Sequence, residues 1–414
     1  MNTRIVITGI GVVSSIGIGK NAYWTAIKKG QSGINKITLF DTSSYKVNLG
    51  GEVSQFDPTQ FFSKKELIDL DRATSLLLAS SKLALEDAKL FITENNTNDI
   101  GVVIGTTFGS LHSLSEFDKE SLIKGPKLVN PSRFPNTVAN LPASRVSIYY
   151  KIRGLNATLS TGMCAGLDAI DYAIKAIQFH GKKVILAGVV EEMCEQTFFG
   201  FYRLKMLSGF DNGALPICCP FDLKRNGIVF GEGSGILVLE PEELAKKRGA
   251  FIYGEILSSS SNFDPYRLHR YNPKATGMIE VMQLALNKAG LSLNEIDCIY
   301  ANANSTQEAD FFEAVAVREV FGAHADKISV TSIKSMLGET YSAAGGLACI
   351  ASVGSLHSGF IPPIINTFNP DPRIDLKLIL DRAVETEVNT IMINTFSPNG
   401  SNSSLIIKKY NESK

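Results

Sequence analysis

The sequence predicts an α/β fold, and three observations carry that reading. Strand-like and helix-like segments alternate along the 414 residues. The strand-like runs are continuously apolar, as strands covered on both faces are. A weak internal repeat also relates the first part of the chain to the second.

Residues 4–13 read as a buried strand, 81–90 as a helix and 100–105 as a strand. Residues 165–179 read as a helix ending at His180-Gly181, and 184–190 as another buried strand. This rhythm predicts parallel sheets covered by helices. In the repeat, 84–90 leads into the strand at Ile100, as 285–291 leads past Asp297 into a strand over 298–303. Residues 165–170, running to His180-Gly181, are matched by 344–350, running to Ser358-Gly359. Two similar halves, 1–250 and 251–414, would bury one shared helical layer between two sheets. The only low-complexity patch is 258–261, and the basic run Lys246-Lys247-Arg248 fits a solvated helix end that complements the dipole.

Forty-one basic residues balance 41 acidic ones. A binder of phosphate backbones would show a basic surplus, so no nucleic acid is expected as partner. The apolar stretch at the N-terminus is too short for a signal peptide or a spanning helix. No membrane association is expected, and the cytoplasm is the expected compartment. The six cysteines, Cys164, Cys194, Cys218, Cys219, Cys298 and Cys349, show no CxxC spacing, so neither a metal site nor a disulfide framework is expected.

Chemistry is first suggested by 160–166, where small residues follow a strand and open a helix. A cysteine at a helix N-terminus has a depressed pKa and can act as a nucleophile. Cys164 therefore reads either as a nucleophile or as a small buried hydrophobe. Its base would normally be a histidine. Of five, His180 and His357 sit at helix ends, His269 and His324 in polar loops, and His112 after the strand at Ile100. No histidine lies in the small-residue turns of the second half: 302–306, 334–339 and 396–402. These turns follow apolar strands and should converge with the one at Met163. Asn304 cannot serve as a base near neutral pH, whereas a buried Glu339 could. Gly231-Glu232-Gly233-Ser234-Gly235 mimics a phosphate loop but runs on into a strand, so its glycines read as packing devices.

In this order the motifs resemble the β-ketoacyl synthases of the thiolase-like superfamily, over essentially the whole chain. The resemblance rests on 4–15, on Gly30-Gln31-Ser32-Gly33-Ile34 with Phe40-Asp41, and on Pro220-Phe221-Asp222 with Arg225-Asn226-Gly227. Residues 231–235, Lys334-Ser335-Met336-Leu337-Gly338 and Ala343-Ala344-Gly345-Gly346 complete it. It implies a five-layered αβαβα fold from two similar halves, an obligate dimer and no cofactor.

Working members of that family use one cysteine and two histidines. Anchored on Gly154 and Gly166, the resemblance sets Met163 on the nucleophile, with Cys164 one residue late. On a helix, one residue turns a side chain by about 100°. Asn304 and Glu339 fall on the two histidines, and Pro398 falls where a backbone N–H should serve the oxyanion. Lys334 is retained, with Phe396, Gly400 and Asn402 around it.

One branch is similar in this respect: the chain length factor, or ketosynthase β subunit, of type II polyketide synthases. It shares the text Gly166-Leu167-Asp168-Ala169 but usually carries Gln where Met163 stands. The resemblance implies a non-catalytic subunit paired with an active ketosynthase α subunit and an acyl carrier protein that bears the growing chain. Tunnel-lining candidates are Phe108, Leu111, His112 and Ser115, with Lys124, Lys127, Arg133 and Arg145 for carrier docking. Two other readings stay open at this point: a condensing enzyme using Cys164 with His112 or Glu339, and a malonyl decarboxylase.

Overall fold

The apolar runs join one twelve-stranded sheet in the computed structural model, which describes residues 3–210 and 213–412. Its first section holds β1 (Ile5–Ser14), β2 (Ile100–Gly105), β3 (Asn156–Leu159), β4 (Val184–Glu191) and β5 (Gly233–Pro241), in the order β3-β2-β4-β5-β1. The second holds β6 (Gly254–Phe263), β7 (Cys298–Tyr300), β8 (Ser329–Thr331), β9 (Thr390–Phe396) and β10 (Ser401–Lys408), in the order β8-β7-β9-β10-β6. Pairing directions recur as well. In each section the first three strands are parallel and the last two join antiparallel.

Two expectations are corrected here. The sheet sections are mixed rather than parallel: β10 returns on β9 by a tight connection, and β5 runs antiparallel to β4 after the long segment between Glu191 and Gly233. The sections are also not separate sheets, since Ile5, Val6 and Ile7 of β1 pair with Ile256, Glu255 and Gly254 of β6.

Helices fill three layers. On the outer face of the first section lie α1 (Arg72–Asp87), against β1 and β5, and α3 (Leu141–Tyr150), against α1. Asp71 caps α1 by accepting from Thr74 N at 2.7 Å, which starts the helix well before the predicted position 81. The helix α2 (Leu111–Lys124) has no buried residue. Between the sections run α4 (Ala165–His180) and α7 (Ala343–Ser358), ended by the left-handed Gly181 and Gly359. On the far face α5 (Thr276–Ala289) packs on β6, β10 and α6 (Gln307–Phe321). This is the five-layered αβαβα arrangement.

Glycine decides the spacing of the layers. A Cβ on Gly11 of β1 would lie 1.8 Å from Ser80 O of α1. In the middle layer a Cβ on Gly166 would lie 2.6 Å from Ser342 O, just before α7, and Gly346 N is 3.2 Å away. The two central helices therefore meet backbone to backbone. We expect Gly166→Ala to destabilise the chain by about 1–3 kcal/mol, the usual cost of overpacking, as measured by denaturant unfolding. Unchanged stability would refute this account of the helix contact.

Candidate functional site

The turns after β7 and β8 and before α7 converge through hydrogen bonds. Lys334 Nζ donates to Asn302 Oδ1 at 3.0 Å and to Glu339 Oε2 at 2.8 Å. Asn304 Nδ2 donates to the same Glu339 Oε2 at 3.1 Å, and Tyr341 N donates to Glu339 Oε1 at 2.9 Å. Glu339 is fully buried, Asn304 and Lys334 nearly so. Lys334 and Glu339 thus form a buried ion pair whose remaining polar atoms are largely taken.

Helix α6 fixes the Asn304 turn from outside. Glu313 accepts from Asn302 N at 2.9 Å and Ala303 N at 2.8 Å, and Asp310 accepts from Asn304 N at 2.9 Å. Asp310 also accepts from Phe221 N at 2.8 Å. The buried Arg225 guanidinium bonds Asp371 at 3.0 Å and the carbonyls of Asp222, Thr306 and Gln307. The 220–227 motif is therefore a clamp on this turn. Signals for Asp310 and Glu313 existed in the sequence: two acids three apart on a helix just after Asn304 share one face.

Met163 lies in the short turn Gly162–Cys164 that leads into α4. It is buried in one cluster with Met193, Phe201, Phe230 and Tyr341, against which Phe108 packs. Gly162 O accepts from Thr107 Oγ1 at 3.0 Å. A Cβ on Gly162 would lie 3.7 Å from Ser397 Oγ, so the turn bearing Pro398 closes on the same place. The Pro398 carbonyl accepts from Arg270 N at 3.0 Å.

Cys164 departs from the helix-end expectation. It is fully buried, and its Sγ donates to the carbonyls of Thr395 and Ser401, each at 3.2 Å. Burial first, and then the nearby Asp168, push its thiol up to about 12. Burial thus works against the reading of Cys164 as an activated thiolate, since desolvation opposes the helix terminus. His112 is exposed at the start of α2 and lines an outer cavity of about 390 Å³ with Asp71, Glu116 and Arg133. Leu111 and Ser115 are half-buried on α2, and only Phe108 of the four tunnel candidates joins the Met163 cluster. Of the docking candidates, Lys124 and Arg133 both pair with Glu120, at 2.9 and 3.3 Å, which offsets the expected basic patch.

Sequence reasoning passed over Glu191 and Glu192, the acid pair that ends the apolar strand β4. Glu191 accepts from Thr107 N at 3.1 Å, Phe108 N at 3.0 Å, Thr106 Oγ1 at 3.3 Å and the Ser342 hydroxyl. Glu192 accepts from Ala73 N and His112 N, each at 3.1 Å. Burial raises Glu191 to about 7, Glu192 to about 8, Glu313 to about 7 and Asp310 to about 6.

Two sections of one strand order, stacked on a shared pair of central helices, define the thiolase-like ketosynthase fold. The chain belongs to the β-ketoacyl synthase family. Residues 2–245 match that family's N-terminal domain and 253–368 its C-terminal domain. It is 36% identical to the 3-oxoacyl-[acyl-carrier-protein] synthase 2 of Synechocystis sp. over 408 residues, 98% of each chain. It is 35% identical to the same-named protein of Coxiella burnetii over 407 residues, again 98% of each. Among solved structures, "The ishigamide ketosynthase/chain length factor" superposes with a TM-score of 0.92 at 32% identity, covering 99% of this chain and all of that one. A chain of the solved structure described as a type II PKS acyl-carrier protein in complex with its ketosynthase superposes at 0.90 with 28% identity, covering 99% of this chain and all of that one. No helix among the described residues is long and apolar enough to cross a membrane.

Two outcomes follow from the buried charges. Lys334→Met strands Glu339 unpaired and should cost about 3–5 kcal/mol, with Lys334→Met/Glu339→Leu recovering much of it; a denaturation double-mutant cycle reads the difference. The second concerns pH. The four raised carboxyls bind more protons in the folded chain than in the unfolded one between about pH 4 and 8, so their contribution is most favourable on the acid side of that window and falls as pH rises. The unfolding midpoint should therefore be higher at pH 5.5 than at pH 8.

Proposed function

We propose that this chain is a chain length factor: a non-catalytic ketosynthase-like subunit of a type II polyketide synthase, working in the cytoplasm. It would pair with an active ketosynthase α subunit and, with an acyl carrier protein presenting the growing chain, limit the number of units added. The observation that carries the reading is the content of the converged turns. Met163 offers a thioether, which forms no acyl thioester. Asn304 and Glu339 are bonded to each other, and Lys334 neutralises the carboxylate. Pro398 has no N–H for an oxyanion. Nucleophile, proton carriers and oxyanion donor are each worth several kcal/mol to condensation, and losing all of them exceeds what positioning restores.

Partner pairing draws support from the free side of the first sheet section. β3 is an edge strand, and α2, which packs on 131–137 and 195–203, has no buried residue. Leu122, Ile123, Leu128 and Phe134 are exposed along the same segment at 86%, 73%, 69% and 59%. Such an apolar surface calls for a covering partner. Two halves, 1–250 and 251–414, are part of the same reading, supported by the recurring strand order.

A second reading is an active condensing enzyme or a malonyl decarboxylase using Cys164; the names of the sequence relatives favour condensing activity alone. Intact-protein mass after incubation with malonyl and acyl carrier protein separates the two. We expect no adduct on this chain, and co-purification with a ketosynthase α subunit. Phe108→Ala should then lengthen the products of the intact pair. An acyl adduct abolished by Cys164→Ala would overturn the proposal.

A further inference from the structure

Tyr341 stands out in the Met163 cluster for its backbone. Its φ is +54°, a left-handed conformation that a bulky aromatic residue rarely adopts. Such strain persists only where surrounding contacts over-determine it. Here the contacts are visible. Glu339 Oε1 accepts the Tyr341 N–H at 2.9 Å. The ring lies 5.0 Å from Phe108 and 5.4 Å from Phe201, centroid to centroid, and is buried.

Phe108 is held in the same manner. Its N–H, with that of Thr107, donates to Glu191, which also takes the hydroxyl of Ser342, the residue after Tyr341. One buried carboxylate therefore links the loop after β2 to the turn before α7, and a second locks that turn. Between them they set two aromatic rings against each other beside Met163, tilted by 37°. Nothing in the ion pair of Lys334 requires Tyr341 to be aromatic, and Glu191 takes no part in that pair.

We propose that Tyr341 is the stop that blocks an acyl chain from entering this subunit beside Met163, and that Glu191 and Glu339 are positioning residues that hold Tyr341 against Phe108. The stop deepens the chain-length reading and rests on it for its biological use, while its physical content, an occluded acyl pocket, stands apart from it.

The test uses the full chain and a dodecanoyl N-acetylcysteamine thioester as probe. Tyr341→Gly removes the ring and suits the left-handed backbone; Tyr341→Asn, which also tolerates that conformation, serves if the glycine variant does not fold. Either should bind the probe at least tenfold more tightly than the unmodified chain by calorimetric titration. Tyr341→Phe should bind like the unmodified chain. Glu191→Ala should gain affinity for dodecanoyl but not for acetyl thioester, with Glu191→Gln restoring part of the block; a merely structural role would move both probes alike. Unchanged dodecanoyl affinity in a folded Tyr341→Gly or Tyr341→Asn chain overturns the stop. Co-purification with a ketosynthase α subunit judges the chain-length reading by itself, so the two ideas fail separately.

Discussion

The close contact of the two central helices is the constraint on which the rest depends. Gly166 and Gly346 let α4 and α7 meet at backbone distance between the sheet sections. The turn that carries Met163 leads into one helix, and the turn from Glu339 to Ser342 leads into the other. Setting the helices together thus sets the two turns together. Larger side chains in that layer would part the sections and with them the site.

Around this contact the chain spends buried charge in two ways. Some carboxylates take backbone amides, as Glu313 and Asp310 do for the Asn304 turn and Glu191 for the Phe108 loop. Others meet cations, as Glu339 meets Lys334 and Asp371 meets Arg225. The first kind resists ionisation because burial opposes it. Both give loops the rigidity that strands cannot reach. The result is a site in which polar atoms answer one another, with Met163 and its aromatic neighbours closing the remaining space.

How much of this was legible beforehand varied with the kind of interaction. Strands at 100–105 and 184–190 were read nearly to the residue, because a continuous apolar run bounded by turns admits few alternatives. The first outer helix was read only in part: its capping Asp71 lies ten residues before the predicted start, and the capping bond rather than hydrophobicity sets that end. The mixed sheet was missed because apolar runs do not reveal strand direction. Pairwise logic was also incomplete at Cys164. A helix terminus implies activation, yet the carbonyls of Thr395 and Ser401, more than 230 positions away, claim the thiol.

By itself the sequence determined the residue types: no thiol at position 163, no imidazole at 304 or 339, no amide hydrogen at 398, and the glycines that allow close layers. It also determined the repeat, since local hydrophobic pattern is a property of the chain. Tertiary structure alone decided which groups meet. The meeting of Glu339 with Asn304, the bridge from Glu191 to Phe108 and Ser342, and the burial of Cys164 arise from contacts between distant segments. Charge and pKa depend on those neighbours and on exclusion of water, which no one-dimensional pattern encodes.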